Sequence, residues 1–195
     1  MKRQLLIVGA AIAALTVAAC GDKAEKTSAE QQAATPDANP AATVPSMANE
    51  TAAPDFVMKA SATDMFEIEA GKLAVERSTN PEVKKYAQMM VDMHTAMSAD
   101  LKSAIAASGQ TALAPAAALP ADLQDKLDDL RAADAKDFDK KYADDMVDVH
   151  QTALNTVQRY AEDGDVPALK AFAAAGAPKI QEHLNQAEGL KNGMK

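Results

Sequence analysis

Beyond about residue 55, apolar and small residues recur at intervals of three and four, and the pattern breaks only at short polar or Gly/Pro-containing segments. That spacing marks one buried stripe per α-helix, whereas a strand would alternate every second residue. The clearest stripe is Val83, Tyr86, Met90, His94, Met97, Leu101, Ala104 and Ser108, which predicts a helix over 81–108. Asn80 can cap its free amides, and Pro81 suits the first turn, where a missing N–H costs nothing. Gly109 should end it by taking the left-handed conformation. A preceding helix is predicted over 55–78. A second long stripe, Ala143, Met146, Val147, His150, Leu154, Val157 and Ala161, predicts a helix over 136–162. The last stripe runs from Leu169 through Phe172, Gly176, Ile180, His183 and Ala187 to Leu190, predicting a helix over 166–190. Gly164 and Asp165 supply a stop and a cap before it, and Pro178 should kink it, because an interior proline removes a backbone hydrogen bond and crowds the turn before it. Between the second and third long helices, an Ala/Pro-rich connection over 110–120 leads into a short helix over 121–132 with Leu123, Leu127 and Leu130 on one side. That connection is long enough to cross from one half of a bundle to the other.

The folded part, 55–192, is therefore expected to be all-α: four long helices, each about 40 Å at roughly 1.5 Å per residue, with one short crossover helix. Composition agrees. The chain has no Trp, 10 Met and few runs of β-branched residues, so strands are disfavoured.

The N-terminus follows another pattern. Lys2 and Arg3 precede an uncharged, largely apolar run of about 15 residues, short of the roughly 20 that a spanning helix needs. This reads as a secretory signal over 1–19. Val17-Ala18-Ala19-Cys20 resembles the lipobox of bacterial lipoproteins, which implies cleavage before Cys20 and acylation of that residue. Gly21 and Asp22, directly after it, favour the outer membrane. Cys20 is the one cysteine, which excludes a disulfide within the chain. From there to Pro54 the chain is mostly Ala, Pro, Thr, Gln, Asn, Ser and Glu, a composition that cannot bury a core and predicts a disordered tether over 20–54. The net charge is −8, and becomes more negative once Lys2 and Arg3 leave with the signal, which argues against nucleic acid as a partner. The expected partners are the membrane, through the lipid on Cys20, and other proteins of the envelope.

The candidate chemistry lies in a repeated phrase. Tyr86-Ala87-Gln88-Met89-Met90-Val91-Asp92-Met93-His94 returns as Tyr142-Ala143-Asp144-Asp145-Met146-Val147-Asp148-Val149-His150, identical at six of nine positions. With His183, the chain's 3 histidines fall one to each of three predicted helices, each on the inward stripe. On the first helix Phe66, Glu69 and Leu73 share a face, which turns Glu69 inward, while Glu67 lies on the side of Ala60, Thr63 and Ala70; one of the two glutamates is expected to be buried, and Glu69 is the candidate ligand. Bundle cofactor sites are built from one or two such side chains per helix at a common height. Two readings stay open. The histidines can form a buried polar layer satisfied by carboxylates or carbonyls, or they can bind a metal together with Glu69 and the flanking Met90 and Met146. Imidazole with thioether suits copper, Cu(I) above all. The Glu-x-x-His pattern of carboxylate-bridged di-iron proteins is absent, since Val91, Val147 and Ile180 stand three residues before the histidines. Phosphate loops, Cys-x-x-Cys pairs, His-Glu-x-x-His and nucleophile elbows are also absent, so no catalytic motif is found.

Glu67-Ile68-Glu69-Ala70-Gly71-Lys72-Leu73-Ala74, Val83-Lys84 leading to Met90-Val91-Asp92-Met93-His94, Phe138-Asp139 with Tyr142 and His150, and Pro178 before His183-Leu184 together resemble the bacterial family catalogued as domain of unknown function 4142. The resemblance covers nearly all of 55–192. It implies a ferritin-like four-helix bundle, often exported, of no established biochemical role. The leading expectation is thus a lipid-anchored, non-catalytic binding or structural module of the cell envelope, and the rival is a metal-binding bundle in metal handling or stress response.

Overall fold

A computed structural model describes residues 51–194. The expected signal peptide, the lipidated Cys20 and nearly all of the tether lie outside the described residues. Five helices follow in order: α1 (Ala53–Arg77), α2 (Pro81–Ser108), α3 (Ala121–Ala132), α4 (Ala135–Asp163) and α5 (Pro167–Asn192). None is long and apolar enough to cross a membrane.

Local chemistry accounts for most of the boundaries. Asn80 caps α2 by accepting from the Glu82 amide at 2.9 Å, and Gly109 ends it with φ 69°. One expectation needs correction. Asp165 does not cap α5; its Oδ1 accepts instead from the Ala53 amide and the Tyr160 hydroxyl, each at 2.9 Å, and so ties the start of α1 to the end of α4. α5 runs through Pro178 as a single helix. Ala173 before the proline and Ile180 after it are both buried, so the helix packs into the core on both sides of Pro178. The end of α3 is tied down from α1: the Arg77 guanidinium donates to the carbonyls of Leu130, Arg131 and Ala133 and lies 4.6 Å over the Phe138 ring.

Two apolar clusters divide the core along the bundle. One gathers Phe56 and Val57 of α1, Met97 and Leu101 of α2, Leu154 and Tyr160 of α4, and Leu169 and Ile180 of α5. The other gathers Phe66 and Ala74, Val83 and Met90, Phe138 and Met146, and Ala187, with Leu127 and Leu130 of α3. Their order along each helix gives its direction. α1 and α5 run from the first cluster to the second; α2 and α4 run the opposite way. The strong packing pairs are α1 with α2 and α4, and α5 with α4 and α2, so neighbours are antiparallel and α2 faces α4 diagonally across the core. Because those two helices are parallel, the segment between them, including α3, must travel back along the bundle before α4 begins.

Candidate metal centre

The parallel diagonal pair gives the repeated phrase its spatial meaning. Matching residues of the two copies meet at matching heights: the rings of Tyr86 and Tyr142 are 6.2 Å apart, and those of His94 and His150 5.6 Å apart. His183 of α5 completes the layer, 5.3 Å from His94 and 5.6 Å from His150, every pair edge to face. One ring nitrogen from each of the three lies within 4.8 Å of the others. The layer sits between the two apolar clusters, and all three imidazoles are buried.

α1 supplies the acidic side. Val57, Ala60, Asp64, Glu67, Gly71 and Ala74 repeat at alternating intervals of three and four, which makes one inward seam. Small residues on it let α2 come close: a Cβ on Gly71 would lie 2.9 Å from Val91 Cγ2 and 3.0 Å from the Ala87 carbonyl. Asp64 and Glu67 thereby reach the histidine layer. Asp64 Oδ1 accepts from His94 Nδ1 at 2.8 Å, and its Oδ2 accepts from Ser98 at 3.1 Å. Glu67 is 0% exposed, with Oε2 2.7 Å from His94 Nδ1 and Oε1 3.3 Å from His150 Nδ1. Neither oxygen nevertheless completes a hydrogen bond, because each ring N–H is directed elsewhere: that of His94 to Asp64, that of His150 to the Met146 carbonyl at 2.8 Å.

These partners set the tautomers. A carbonyl or a carboxylate can only accept, so Nδ1 carries the proton in His94 and His150, and their Nε2 atoms point to the remaining task. Both Nε2 atoms, and Nδ1 of His183, are buried without a hydrogen-bond partner among the described residues. Charge follows the same geometry. Burial opposes charge on His94, but Glu67 and Asp64 outweigh it and raise its pKa to about 10, so near neutral pH its Nε2 carries a proton as well, which a bound metal would have to displace. Burial lowers His150, with only partial relief from Glu67, and burial together with the neighbouring imidazoles lowers His183 to about 4. Burial would raise Glu67, yet His150 and His94 hold it below the ordinary carboxylate value; Asp64 is raised, since burial there exceeds the help of His94. Asp64, Glu67 and His94 thus titrate as a coupled set.

The predicted residues are distributed unevenly. His94, His150 and His183 come together as their stripes imply. Glu69 does not join them: its side chain is 44% exposed and pairs with Lys72 at 2.9 Å. Glu67 takes the inward place, since the face shared with Phe66 and Leu73 is not the seam that meets α2. Asp64 was missed altogether, although the seam through Val57, Ala60, Gly71 and Ala74 passes through it. Met90 and Met146 are fully buried within the second apolar cluster, and Met146 meets the layer through its backbone carbonyl. Such a set can hold a transition metal: three nitrogen donors with no other partner beside a buried carboxylate that lacks a compensating hydrogen bond.

Comparison with known proteins agrees at the level of fold. No curated protein matches the chain. Among solved structures, CopM in the Cu(II)-bound form superposes with a TM-score of 0.61 at 14% identity, covering 74% of this chain and 98% of that one. The chain belongs to the family described as domain of unknown function (DUF4142), whose profile matches residues 24–190.

Proposed function

We propose that this member of the DUF4142 family is a transition-metal-binding bundle of the cell envelope, holding one Cu(II) ion on His94 Nε2, His150 Nε2 and His183 Nδ1. The observation that carries the reading is that these three buried nitrogens lack any other partner, beside a carboxylate, Glu67, buried under the same condition. Burying such groups without compensation costs free energy, and a cation bound there offsets it. Glu67 and Asp64 would orient the rings and balance the charge, as carboxylates behind ligating histidines commonly do. Nitrogen-rich donor sets beside carboxylate suit Cu(II) and then Zn(II), whereas Cu(I) would call for the thioethers, and Met90 and Met146 have packing roles in an apolar cluster. The fold shared with a Cu(II)-bound protein supports copper as the first metal to test. A bound ion could also polarise a ligand water, but the site carries no catalytic motif, and binding or metal handling is the activity we assign. The ferritin-like description fits the long crossover between the parallel α2 and α4. A lipid on Cys20, facing the periplasm from the outer membrane, completes the proposal; metabolic labelling with a radioactive fatty acid should mark the chain, and Cys20→Ser should abolish the label.

The metal reading is tested on full-length chain carrying Cys20→Ser, which removes a thiol that would itself bind copper, and without a histidine tag. Thermal unfolding is followed with Cu(I), Cu(II), Zn(II) and Fe(II), and bound metal is quantified. One equivalent of Cu(II) should raise the midpoint, and His150→Ala should abolish that rise. No shift with any ion would leave a structural polar layer and overturn the reading.

A further inference from the structure

The ligand cluster is closed on most sides, but one cavity of about 240 Å³ reaches it from the surface. Its floor is Asp64 and His94, and its walls include Ala60, Met97, Ala153 and Phe172. At its rim Lys126 of α3 pairs with Asp148 of α4 at 2.8 Å and with Asp145 at 3.4 Å; the Asp148 side chain is 64% exposed and that of Lys126 30%. Glu67, His150 and His183 do not line it. A cation arriving through this cavity therefore meets the Asp64–His94 edge before it meets the other imidazoles. That edge is itself a coordinating group: a ligand atom each from Asp64, Glu67 and His94 lie within 4.8 Å of one another, and Glu67 is fully buried with neither oxygen hydrogen-bonded.

We propose that this cavity is the loading port of the ion site, that Asp64 is the group that receives a divalent cation from water and passes it to the three imidazoles, and that the Lys126 pair guards the rim. The proposal rests on the metal-binding reading above. The chemistry orders the two stations. An aqua ion exchanges its first waters readily for a carboxylate oxygen, and the nitrogen set retains it more firmly once reached. Asp64 suits the first role because one oxygen is held by His94 and the other by Ser98, so it is fixed at the cavity floor. Of the other carboxylates that line the cavity, Asp122 is exposed and Asp148 is held by Lys126, so Asp64 is the one at its buried end. Asp145 and Asp148 cancel the charge of Lys126 and hold its side chain across the opening, so the barrier at the rim is steric and a cation enters when the pair parts.

Stopped-flow mixing of aqueous Cu(II) with the full-length Cys20→Ser chain tests this, read by quenching of the 3 tyrosines, with no Trp to interfere. Thr156→Phe fills the cavity from α4 and Ala60→Leu fills it from α1. Each should slow association and dissociation together by about tenfold, as expected when binding must wait for a conformational opening, and leave the equilibrium constant unchanged. Lys126→Ala should speed both. Asp64→Asn should lose affinity through the association rate. Plugged chains that fold, by their thermal midpoints, yet bind at the unplugged rate would overturn the port, and a loss in Asp64→Asn confined to dissociation would reduce Asp64 to a positioning residue. A Cys20→Ser chain that binds no Cu(II) at equilibrium would instead sink the metal reading itself, and the port with it.

Discussion

His94 and His150 end the same phrase and lie in the same layer, yet their surroundings push their protonation in opposite directions. His94 Nδ1 donates to a carboxylate of another helix, and its pKa rises to about 10. His150 Nδ1 donates to a carbonyl one turn back in its own helix, and its pKa falls. The difference is supplied by α1, whose Asp64 reaches His94 alone while Glu67 lies 0.6 Å closer to His94 than to His150. The shared phrase therefore specifies where an imidazole sits, and a third helix decides its protonation.

The most forceful way to break this comparison is to remove each histidine from the metal-free chain. His94→Ala leaves Asp64 and Glu67 buried without their counter-charge and should cost about 3–5 kcal/mol. His150→Ala deletes a neutral ring whose N–H partner is a helix carbonyl, and should cost about 1–3 kcal/mol. Equal losses in urea unfolding would mean that the charge difference is not real.

The next test separates the carboxylates. Glu67→Gln acts on both copies and Asp64→Asn on the α2 copy only, so NMR titration should move His94 to lower pH in both variants and disturb His150 chiefly in Glu67→Gln. Isothermal titration with Cu(II) should show affinity reduced about 10–100-fold in each, the usual cost of losing a group that orients a ligating histidine.

Acidity probes the same contrast more gently. A raised histidine stabilises the fold fully below its unfolded pKa, near 6.5, and that contribution is lost as pH climbs towards about 10, which is the case of His94. A lowered histidine is bound neutral, and its contribution is lost as pH falls from 6.5 through about 4, the case of His183. The urea midpoint of the metal-free chain should therefore peak between these windows and decline on both sides. In His94→Ala the alkaline decline should vanish while the acid one persists.

The smallest effect belongs to Glu69, two residues from Glu67. Glu69→Ala breaks only an exposed pair with Lys72 and should change stability by about 0.5 kcal/mol or less, with Cu(II) affinity unaltered. A large effect there would show that the inward face of α1 has been misjudged.

That helix also shows where sequence reading gave way. The stripes of α2, α4 and α5 contain large apolar residues and read unambiguously, so their three histidines were legible as inward. Around the histidine layer the seam of α1 is made of alanines, a glycine and two acids, and the larger Phe66 and Leu73, which pack in the second cluster from an adjoining face, draw attention away from it. Glu69 was chosen on that face, and Asp64 went unnoticed. Asp165 was read as a cap from its position alone, although its side chain serves two elements distant from α5.

Hydrophobic period, the Asn80-Pro81 start and the Gly109 stop sufficed to define five helices within a few residues, because these are local preferences acting over one or two turns. They also set which residues of each helix face inward where the stripe is rich in large side chains. They could not set which helix lies beside which. That depends on the crossover making α2 and α4 parallel and diagonal, and on Gly71 letting α1 approach α2. Only this arrangement gathers Asp64 and Glu67 with three imidazoles drawn from three other helices, and the charge and free nitrogens of the site arise from that meeting because burial and neighbouring charge act through space, not along the chain.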